Sequence, residues 1–268
     1  MRPHYRSVAG ELEAARVAAA TGLPILLKGP TGCGKSRLVE ALAWELGRAL
    51  FTVACNDETS AADLLGRWTV RGGDTVWQDG PATHAVREGA VLYLDELAEA
   101  RDDVLVVLHP LADHRRELWL DRHSERLVAA PGFQLLASYN PGYRRGAKDL
   151  KPSTRQRFVA LSLDYPAPEI EVEILVTETR CELAIAKRLV ALAKKIRGLE
   201  SLALSETVST RLLVHTARLI VGGMDARTAC DLGIVQPLSD DAEIVAPLRD
   251  VAALAFCCLL YTSPSPRD

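Results

Sequence analysis

The sequence lacks any long apolar run and any excess of charge of one sign. Its 268 residues contain no apolar stretch near the roughly 18 residues that a membrane-spanning helix needs, and no apolar signal-peptide core near the N-terminus. Thirty-two Lys and Arg stand against 35 Asp and Glu, which leaves a formal net charge of −3. A protein that acts mainly on nucleic acid or an anionic membrane usually carries a basic excess, so neither partner is expected. We therefore expect a cytoplasmic globular protein.

Paired cysteines are also missing. The six cysteines are scattered, with no C-x-x-C pair and no spacing typical of metal ligands. A disulfide scaffold and a structural zinc site are therefore not expected. Hydrophobic residues make up 48% of the chain and charged residues 25%, the balance of a globular protein with a large core.

The pattern of apolar residues changes along the chain and divides it into two parts. As far as residue 165, short apolar runs alternate with stretches of helical period, which predicts an α/β domain (1–165) with a five-stranded, mostly parallel sheet. The predicted strands are Pro24–Leu27, Leu50–Cys55, Ala90–Leu94, Phe133–Tyr139 and Phe158–Leu163, and the clearest predicted helices are Lys35–Leu46 and Asp102–Leu111. Over 166–256 every periodic segment predicts helix, from Leu183–Arg197 to a last helix at Arg249–Phe256, so a small all-α domain is expected.

The end of the chain does not fit this pattern. Residues 257–268 resemble the translated read-through of a sequencing adapter, with a natural disordered tail as the alternative. In either case we expect this segment to take no part in the fold.

The strongest motif is a phosphate-binding loop of the pattern G-x-x-x-x-G-K-S. It follows the first predicted strand and opens a predicted helix, as the motif requires. The expected nucleotide-binding residues are Gly29, Pro30, Thr31, Gly32, Cys33, Gly34, Lys35 and Ser36. The glycines let several N–H groups turn toward one anion, and the helix N-terminus adds a favourable dipole. For bound ATP, Lys35 should reach the β- and γ-phosphates and the Ser36 hydroxyl should bind Mg²⁺.

Two carboxylates end the third predicted strand, in the segment Val91-Leu-Tyr-Leu-Asp95-Glu96. Asp95, at the carboxyl end of the strand beside the phosphate loop, is expected to hold Mg²⁺ through water. Glu96 is the candidate that polarises the attacking water, which favours hydrolysis over simple nucleotide binding. Acidic residues after a strand can also cap a helix, but after a phosphate loop the catalytic interpretation is favoured.

Further candidate catalytic residues follow the later strands. Asn140, after the fourth predicted strand, can bridge the attacking water and the γ-phosphate, although an Asn-Pro pair is ordinarily only a turn. Arg155 and Arg157 precede the fifth predicted strand, and Arg211 lies in a later Ser-Thr-Arg-Leu-Leu segment. The planar guanidinium suits a γ-phosphate because it bonds two oxygens and stays charged. Surface solvation is the alternative for any single arginine.

Together these motifs resemble an AAA+ ATPase of the MoxR branch and, within it, the CbbQ/NirQ/NorQ family. The segments that carry the resemblance are Leu27–Lys35, Val53–Asn56, Trp77–Pro81, Tyr139–Tyr143, Lys148–Phe158 and Ser209–Leu213. The resemblance implies an AAA+ P-loop core followed by an α-helical lid domain. It also implies a ring of this chain, usually a hexamer, that works with a partner carrying a von Willebrand factor A domain.

In that family the client is Rubisco carrying inhibitory sugar phosphates, or a nitric oxide or nitrite reductase that needs maturation. The sequence of Lys151–Arg155 looks more like that of the Rubisco-activating branch of the family. Rubisco is therefore the expected client, and a reductase is the alternative. By the same resemblance, Arg155 and Arg157 act on the nucleotide of the neighbouring protomer, and Arg211 acts within its own.

Two segments between the predicted strands have the pattern of hairpins. Arg67–Trp77 places two β-prone runs around Gly-Gly, and by resemblance it is the insertion that points toward the ring pore, with an ordinary surface hairpin as the alternative. His114–Ala129 is rich in arginine, but acidic residues are interleaved, so a solvated hairpin is expected rather than a nucleic-acid contact.

The leading hypothesis is an ATP-hydrolysing motor that remodels its client enzyme, and two other classes of protein are the alternatives. A scaffold that binds ATP to assemble a ring without turnover would have no need of Glu96 and the arginines. A DNA-handling AAA+ protein, such as a helicase loader, should shift DNA in a gel at physiological salt, and we expect no shift.

Overall fold

The structure, a computed structural model, describes residues 3–141, 149–199, 204 and 206–256. These residues form two compact units. The first runs to Asp164 but leaves out Thr31–Cys33, and the second contains Thr31–Cys33 together with the chain from Tyr165. The predicted tail 257–268 and the positions 142, 143 and 148 of the resemblance lie outside the described residues. None of the described helices is both long enough and apolar enough to cross a membrane.

The first unit is built on a parallel sheet. The described strands are β1 Ile25–Lys28, β2 Leu50–Ala54, β3 Gly66–Arg71, β4 Asp74–Asp79, β5 Val91–Asp95, β6 Glu117–Leu120, β7 Glu125–Val128, β8 Gln134–Tyr139 and β9 Val159–Ser162. Five of them form one sheet in the order β2-β5-β8-β1-β9, and every pairing in it is parallel. All six residues of β8 are buried, as expected of a central strand covered on both faces. The predicted α/β fold with a five-stranded sheet is confirmed.

The register of this sheet determines where its loops lie. Lys28, the last residue of β1, pairs with Tyr139 at the end of β8, and Leu94 of β5 pairs with Ala137 of β8. Because all the strands point the same way, the segments that follow β1, β5 and β8 leave the sheet at one edge. This edge carries the phosphate loop, the two carboxylates and Asn140.

The helices of the first unit are short. They are α1 Glu11–Ala20, α2 Lys35–Glu45, α3 Ala61–Leu65, α4 Pro81–Glu88, α5 Asp102–Leu108 and α6 Pro152–Arg155, with single 3-10 turns at Leu97–Glu99 and Asp121–His123. Helix α5 ends three residues before the predicted Leu111. Pro110 has no N–H with which to continue the helical bonding, which explains the earlier end.

Both predicted hairpins are present. Strands β3 and β4 pair around Gly72-Gly73, and β6 pairs with β7. In the second hairpin the guanidinium of Arg126 donates to Glu117 at 2.9 Å, so a basic and an acidic side chain of this hairpin are paired. The hairpins also contact each other, because the Trp77 ring stacks on His123 with 5.0 Å between ring centroids.

The described part of the second unit from Tyr165 onward is helical. Its helices are α7 Pro168–Thr179, α8 Leu183–Arg197, α9 Thr210–Val221, α10 Ala226–Cys230, α11 Gln236–Leu238 and α12 Ala242–Ala255, with a π-helical turn at Asp231–Val235. Helix α8 has the predicted bounds, and its apolar residues Leu189, Leu192, Ala193 and Ile196 are buried.

The predicted start of the last helix, Arg249, is wrong. The helix begins seven residues earlier at Ala242, where the Asp241 side chain accepts the N–H of Glu243 as an N-cap. It continues through Pro247 because Val245 and Leu248, on either side of the proline, are both buried. Burial of this apolar face outweighs the hydrogen bond that proline removes.

Candidate functional site

The phosphate loop joins β1 to α2. Gly32 and Gly34 have φ values of +70° and +106°, a region that other residues adopt only with strain. At Gly32 a Cβ would also come within 2.6 Å of the Ser209 Cβ, and both residues belong to the second unit. Ser209 is the N-cap of α9, the helix whose second residue is Arg211. Only glycine therefore fits at position 32 without displacing the start of α9.

The Lys35 ammonium lies inside the curve of this loop. Its Nζ donates to the carbonyl oxygens of Gly29 and Pro30 at 2.8 and 2.9 Å, and to the Asn140 side-chain oxygen at 2.6 Å. The residue is only 8% exposed. These three acceptors are neutral oxygens, so they orient the lysine without cancelling its charge, which suits a site for an anionic phosphate. The structure thus brings two predicted site residues, Lys35 and Asn140, into direct contact.

A second contact network surrounds Asp95. Its Oδ1 accepts the hydroxyl groups of Tyr93 at 2.6 Å and Ser138 at 2.5 Å. Burial raises the pKa of the Tyr93 phenol. The predicted Mg²⁺ ligand Asp95 is therefore held by two hydroxyl groups, one from its own strand β5 and one from β8.

Tyr93 and Ser138 are not among the site residues predicted from the sequence. A signal was present, because each is a polar side chain within an apolar strand, and both are buried. Buried polar groups need hydrogen-bond partners. A polar side chain within an apolar strand therefore indicates that a polar site lies nearby.

Glu96 adopts a backbone conformation that is uncommon for a residue with a side chain. Its φ and ψ are 56° and 46°, in the left-handed region, which costs of order 1–3 kcal/mol outside glycine. Its N–H donates to Ser138 Oγ at 3.1 Å, and the fully buried Leu97 follows it. These contacts hold the strained turn, and the Glu96 side chain is exposed at the sheet edge. Strain of this kind is typical of functional positions.

Cys55 directly follows the neighbouring strand β2, and its thiol is affected by the charges at this edge of the sheet. Its N–H donates to the Asp95 carbonyl oxygen at 2.8 Å. Burial, followed by the charges of Asp95 and Glu96, raises the pKa of the Cys55 thiol to about 12. The two carboxylates therefore lie close enough to shift a neighbouring titration.

The predicted arginines contact their own segments. In α6, Arg155 lies 3.7 Å from the Asp149 carboxylate, and Arg157 donates from Nη1 to the Ser153 carbonyl. Arg211, in α9, belongs to the second unit. The structure therefore places Lys35, Ser36, Asp95, Glu96 and Asn140 at one edge of the sheet and holds Arg155 and Arg157 in a separate turn.

The donor set fits a nucleotide with Mg²⁺. Ser36 and Asp95 supply the hydroxyl and carboxylate oxygens that Mg²⁺ prefers. In the described part of the chain no three His, Cys, Asp or Glu side chains could hold a metal by themselves. A Mg²⁺ at this edge would therefore also need oxygens from nucleotide phosphates and water.

A phosphate loop with a bonded lysine, beside strand-end carboxylates and an asparagine, is the arrangement of a P-loop ATPase. Residues 24–158 match the family model of the AAA domain (dynein-related subfamily), and residues 171–255 match the CbbQ/NirQ/NorQ C-terminal model. The chain belongs to the CbbQ/NirQ/NorQ family of AAA+ ATPases.

Relatives from three branches of this family match nearly the whole chain. NorQ of Paracoccus denitrificans is 56% identical, with 95% of this chain and 94% of the relative covered. The denitrification regulatory protein NirQ of Pseudomonas aeruginosa is 54% identical over 94% and 97%. CbbQ of Hydrogenophilus thermoluteolus is 50% identical over 95% of each chain. The family is therefore established, and the identity decreases from 56% for NorQ to 50% for CbbQ.

Solved structures of low identity share the fold. A crystal structure of an ATPase described as putative, from Cytophaga hutchinsonii, superposes with a TM-score of 0.52 at 16% identity, covering 96% of this chain and 91% of that chain. A RuvB mutant from Thermotoga maritima gives a TM-score of 0.55 at 19% identity over 94% and 73%.

Proposed function

We propose that this chain is the ATP-hydrolysing subunit of a homo-hexameric ring that remodels a client enzyme in the cytoplasm. The observation that carries the proposal is the pair of contacts at the sheet edge: Lys35 with Asn140, and Asp95 with Ser138, which also accepts the N–H of Glu96. Ser138 lies in β8 and Asn140 directly follows this strand, so β8 connects Lys35 with Asp95 and Glu96. A scaffold that only binds nucleotide would not need the strained glutamate.

Each residue of the site has a role in this proposal. The loop from Gly29 to Ser36 binds the phosphates through its N–H groups, and Lys35 stabilises the charge of the transferred group. Mg²⁺ held by Ser36 and Asp95 would neutralise charge on the β- and γ-phosphate oxygens. Glu96 accepts a proton from the attacking water, and the Asn140 amide orients that water.

Arginines complete the site only in the ring. Arg155 and Arg157 would reach the nucleotide of the neighbouring protomer, where an arginine finger contributes about 10³ to 10⁵ in rate. Arg211 would act on the nucleotide of its own protomer and couple the position of the lid domain to the state of that nucleotide.

The experiment for the shared site mixes two inactive variants. Arg157→Ala should bind ATP without turnover, and Lys35→Ala should have no turnover and weakened ATP binding. Turnover per chain of the unmodified protein should fall on dilution. Mixed rings of the two variants should recover part of the phosphate release, because some interfaces join an intact phosphate loop to an intact arginine. No recovery in rings shown to be mixed, or a fully active monomer, would refute the shared site.

We propose a reductase of denitrification as the client, with a von Willebrand factor A domain protein as the adaptor. The support is that NorQ and the denitrification regulatory protein NirQ are 56% and 54% identical to this chain, against 50% for CbbQ. Rubisco is the second candidate, and the sequence of Lys151–Arg155 favours it. ATP-dependent recovery of activity is measured for a nitric oxide reductase and for sugar-phosphate-inhibited Rubisco, each with chain and adaptor. Recovery of Rubisco alone would contradict the first choice.

A further inference from the structure

The arginine-bearing helix α6 is too short to determine its own orientation. It has four residues, and isolated helices below about 12 residues are marginal in water. Arg157 depends on this helix, because its Nη1 donates to the carbonyl of Ser153 within α6. The Arg157 Nε is buried and has no hydrogen-bond acceptor in the part of the chain that the structure describes. The contact that orients α6 therefore also orients the Arg157 guanidinium.

A buried side chain connects α6 to the end of α5. Thr154 is 2% exposed, and its Oγ1 lies 3.1 Å from Nε2 of His109. The His109 backbone N–H donates to Leu105 at 3.2 Å, so the imidazole is attached to the last turn of α5. Lys151 also donates to Asp102 at 3.1 Å, but both side chains are at least 60% exposed, and such pairs contribute little.

The charges around His109 favour its neutral form. Burial lowers the pKa of His109, the charges of Arg157 and Lys151 lower it further, and Asp113 opposes them. A neutral imidazole can hydrogen-bond the Thr154 hydroxyl without adding a positive charge beside Arg157.

We propose that Thr154 and His109 are positioning residues for the arginine that completes the site of the neighbouring protomer. The proposal rests on the proposed function, in which Arg157 acts on the neighbour's nucleotide. The hydrogen bond between Thr154 and His109 orients α6, α6 presents the Ser153 carbonyl, and that carbonyl orients the guanidinium. A displacement of about 1 Å in a group that contacts the reacting atoms can cost 10²-fold in rate.

The test compares Thr154→Val with Thr154→Ser. Valine keeps the shape and removes the hydroxyl, whereas serine keeps the hydroxyl. We expect Thr154→Val to lower kcat for ATP by roughly 10- to 100-fold with KM within about twofold, because its own phosphate loop is intact. Thr154→Ser should keep most of the kcat. Equal loss in both variants, or a loss confined to KM, would overturn the proposal.

Mixing determines which site the defect affects. In mixed rings with an excess of Lys35→Ala chains, each Thr154→Val chain receives an intact arginine from its neighbour. Its turnover per intact phosphate loop should return toward that of wild-type chains mixed in the same way. No recovery in confirmed mixed rings would place the defect in the variant's own site and overturn the proposal.

Arg157→Ala separates this inference from the proposed function. If Arg157→Ala is inactive and Thr154→Val retains wild-type kcat, the positioning role is refuted and the shared site stands. If Arg157→Ala retains full turnover, the shared site fails and the positioning role fails with it.

Discussion

The buried ion pair of the second unit gives a quantitative prediction. The Glu171 carboxylate is fully buried and accepts two N–H groups of Arg197 at 2.9 and 2.8 Å, together with the Thr210 hydroxyl at 2.6 Å. Arg197 also donates to the Val208 carbonyl at 2.8 Å, and its guanidinium lies 4.2 Å from the centre of the Tyr165 ring. The change to make is Arg197→Met, which keeps the length of the side chain and removes its charge.

The expected cost follows from the carboxylate left behind. Removing one partner of a buried pair costs about 3–5 kcal/mol, because the other charge stays buried and uncompensated. Replacing both partners, as in Glu171→Leu with Arg197→Met, should cost less than the single change, because no buried charge remains. The matched control is Arg218→Met. Arg218 lies 3.7 Å from Glu178 and is 56% exposed, so its loss should cost about 0.5 kcal/mol or less.

Hydrogen exchange of the amides in α7, α8 and α9 measures this free energy within the second unit. At about 1.4 kcal/mol per factor of ten, 3–5 kcal/mol lowers their protection by at least roughly 10²-fold. Arg218→Met should lower it by less than about threefold. Protection in Arg197→Met close to that of the control, or greater loss in the double variant than in the single one, would refute the reasoning.

Three further predictions concern the first unit. Ser138→Ala removes the hydroxyl between Asp95 and the Glu96 N–H, so kcat should fall roughly tenfold or more at nearly unchanged KM for ATP; unchanged kcat in steady-state phosphate release would contradict the role. Because the pKa of the Cys55 thiol is raised to about 12, peptide mapping should find Cys55 unalkylated by iodoacetamide at pH 8 in the folded protein and alkylated after unfolding. His109 has a lowered pKa in the folded state, so the unfolded state binds the proton first and stability should fall as the pH drops below the ordinary value of 6.5. His109→Gln should show a weaker fall in urea unfolding between pH 7 and 5, and an equal fall would contradict this.

The fold could be predicted from sequence because its signals are local. Apolar runs such as Val91–Leu94 are strands in a buried parallel sheet, and the phosphate loop begins α2 at Lys35 as the motif requires. The start of the last helix was missed because its N-cap, Asp241, precedes a proline that ordinarily ends a helix.

The contacts at the site were less predictable, since they join residues far apart in sequence. Nothing local in the sequence places Lys35 beside Asn140, or Thr154 beside His109, because these pairs depend on how strands and helices pack. The strain at Glu96 is equally invisible in the sequence, because it arises from the turn between β5 and the buried Leu97.

The central claim is that Glu96 activates the attacking water and that ATP binding does not depend on Glu96. Glu96→Gln keeps the size and exposure of the side chain and removes its ability to accept a proton. The control is Glu99→Gln, the same change three residues further on at another exposed position. Single-turnover hydrolysis and Mg·ATP binding are measured on the same preparations. The expected result is ATP binding close to wild type and hydrolysis slower by about 10² to 10⁴ in Glu96→Gln, with Glu99→Gln unaffected. Hydrolysis at the wild-type rate, or loss of binding together with hydrolysis, would contradict it.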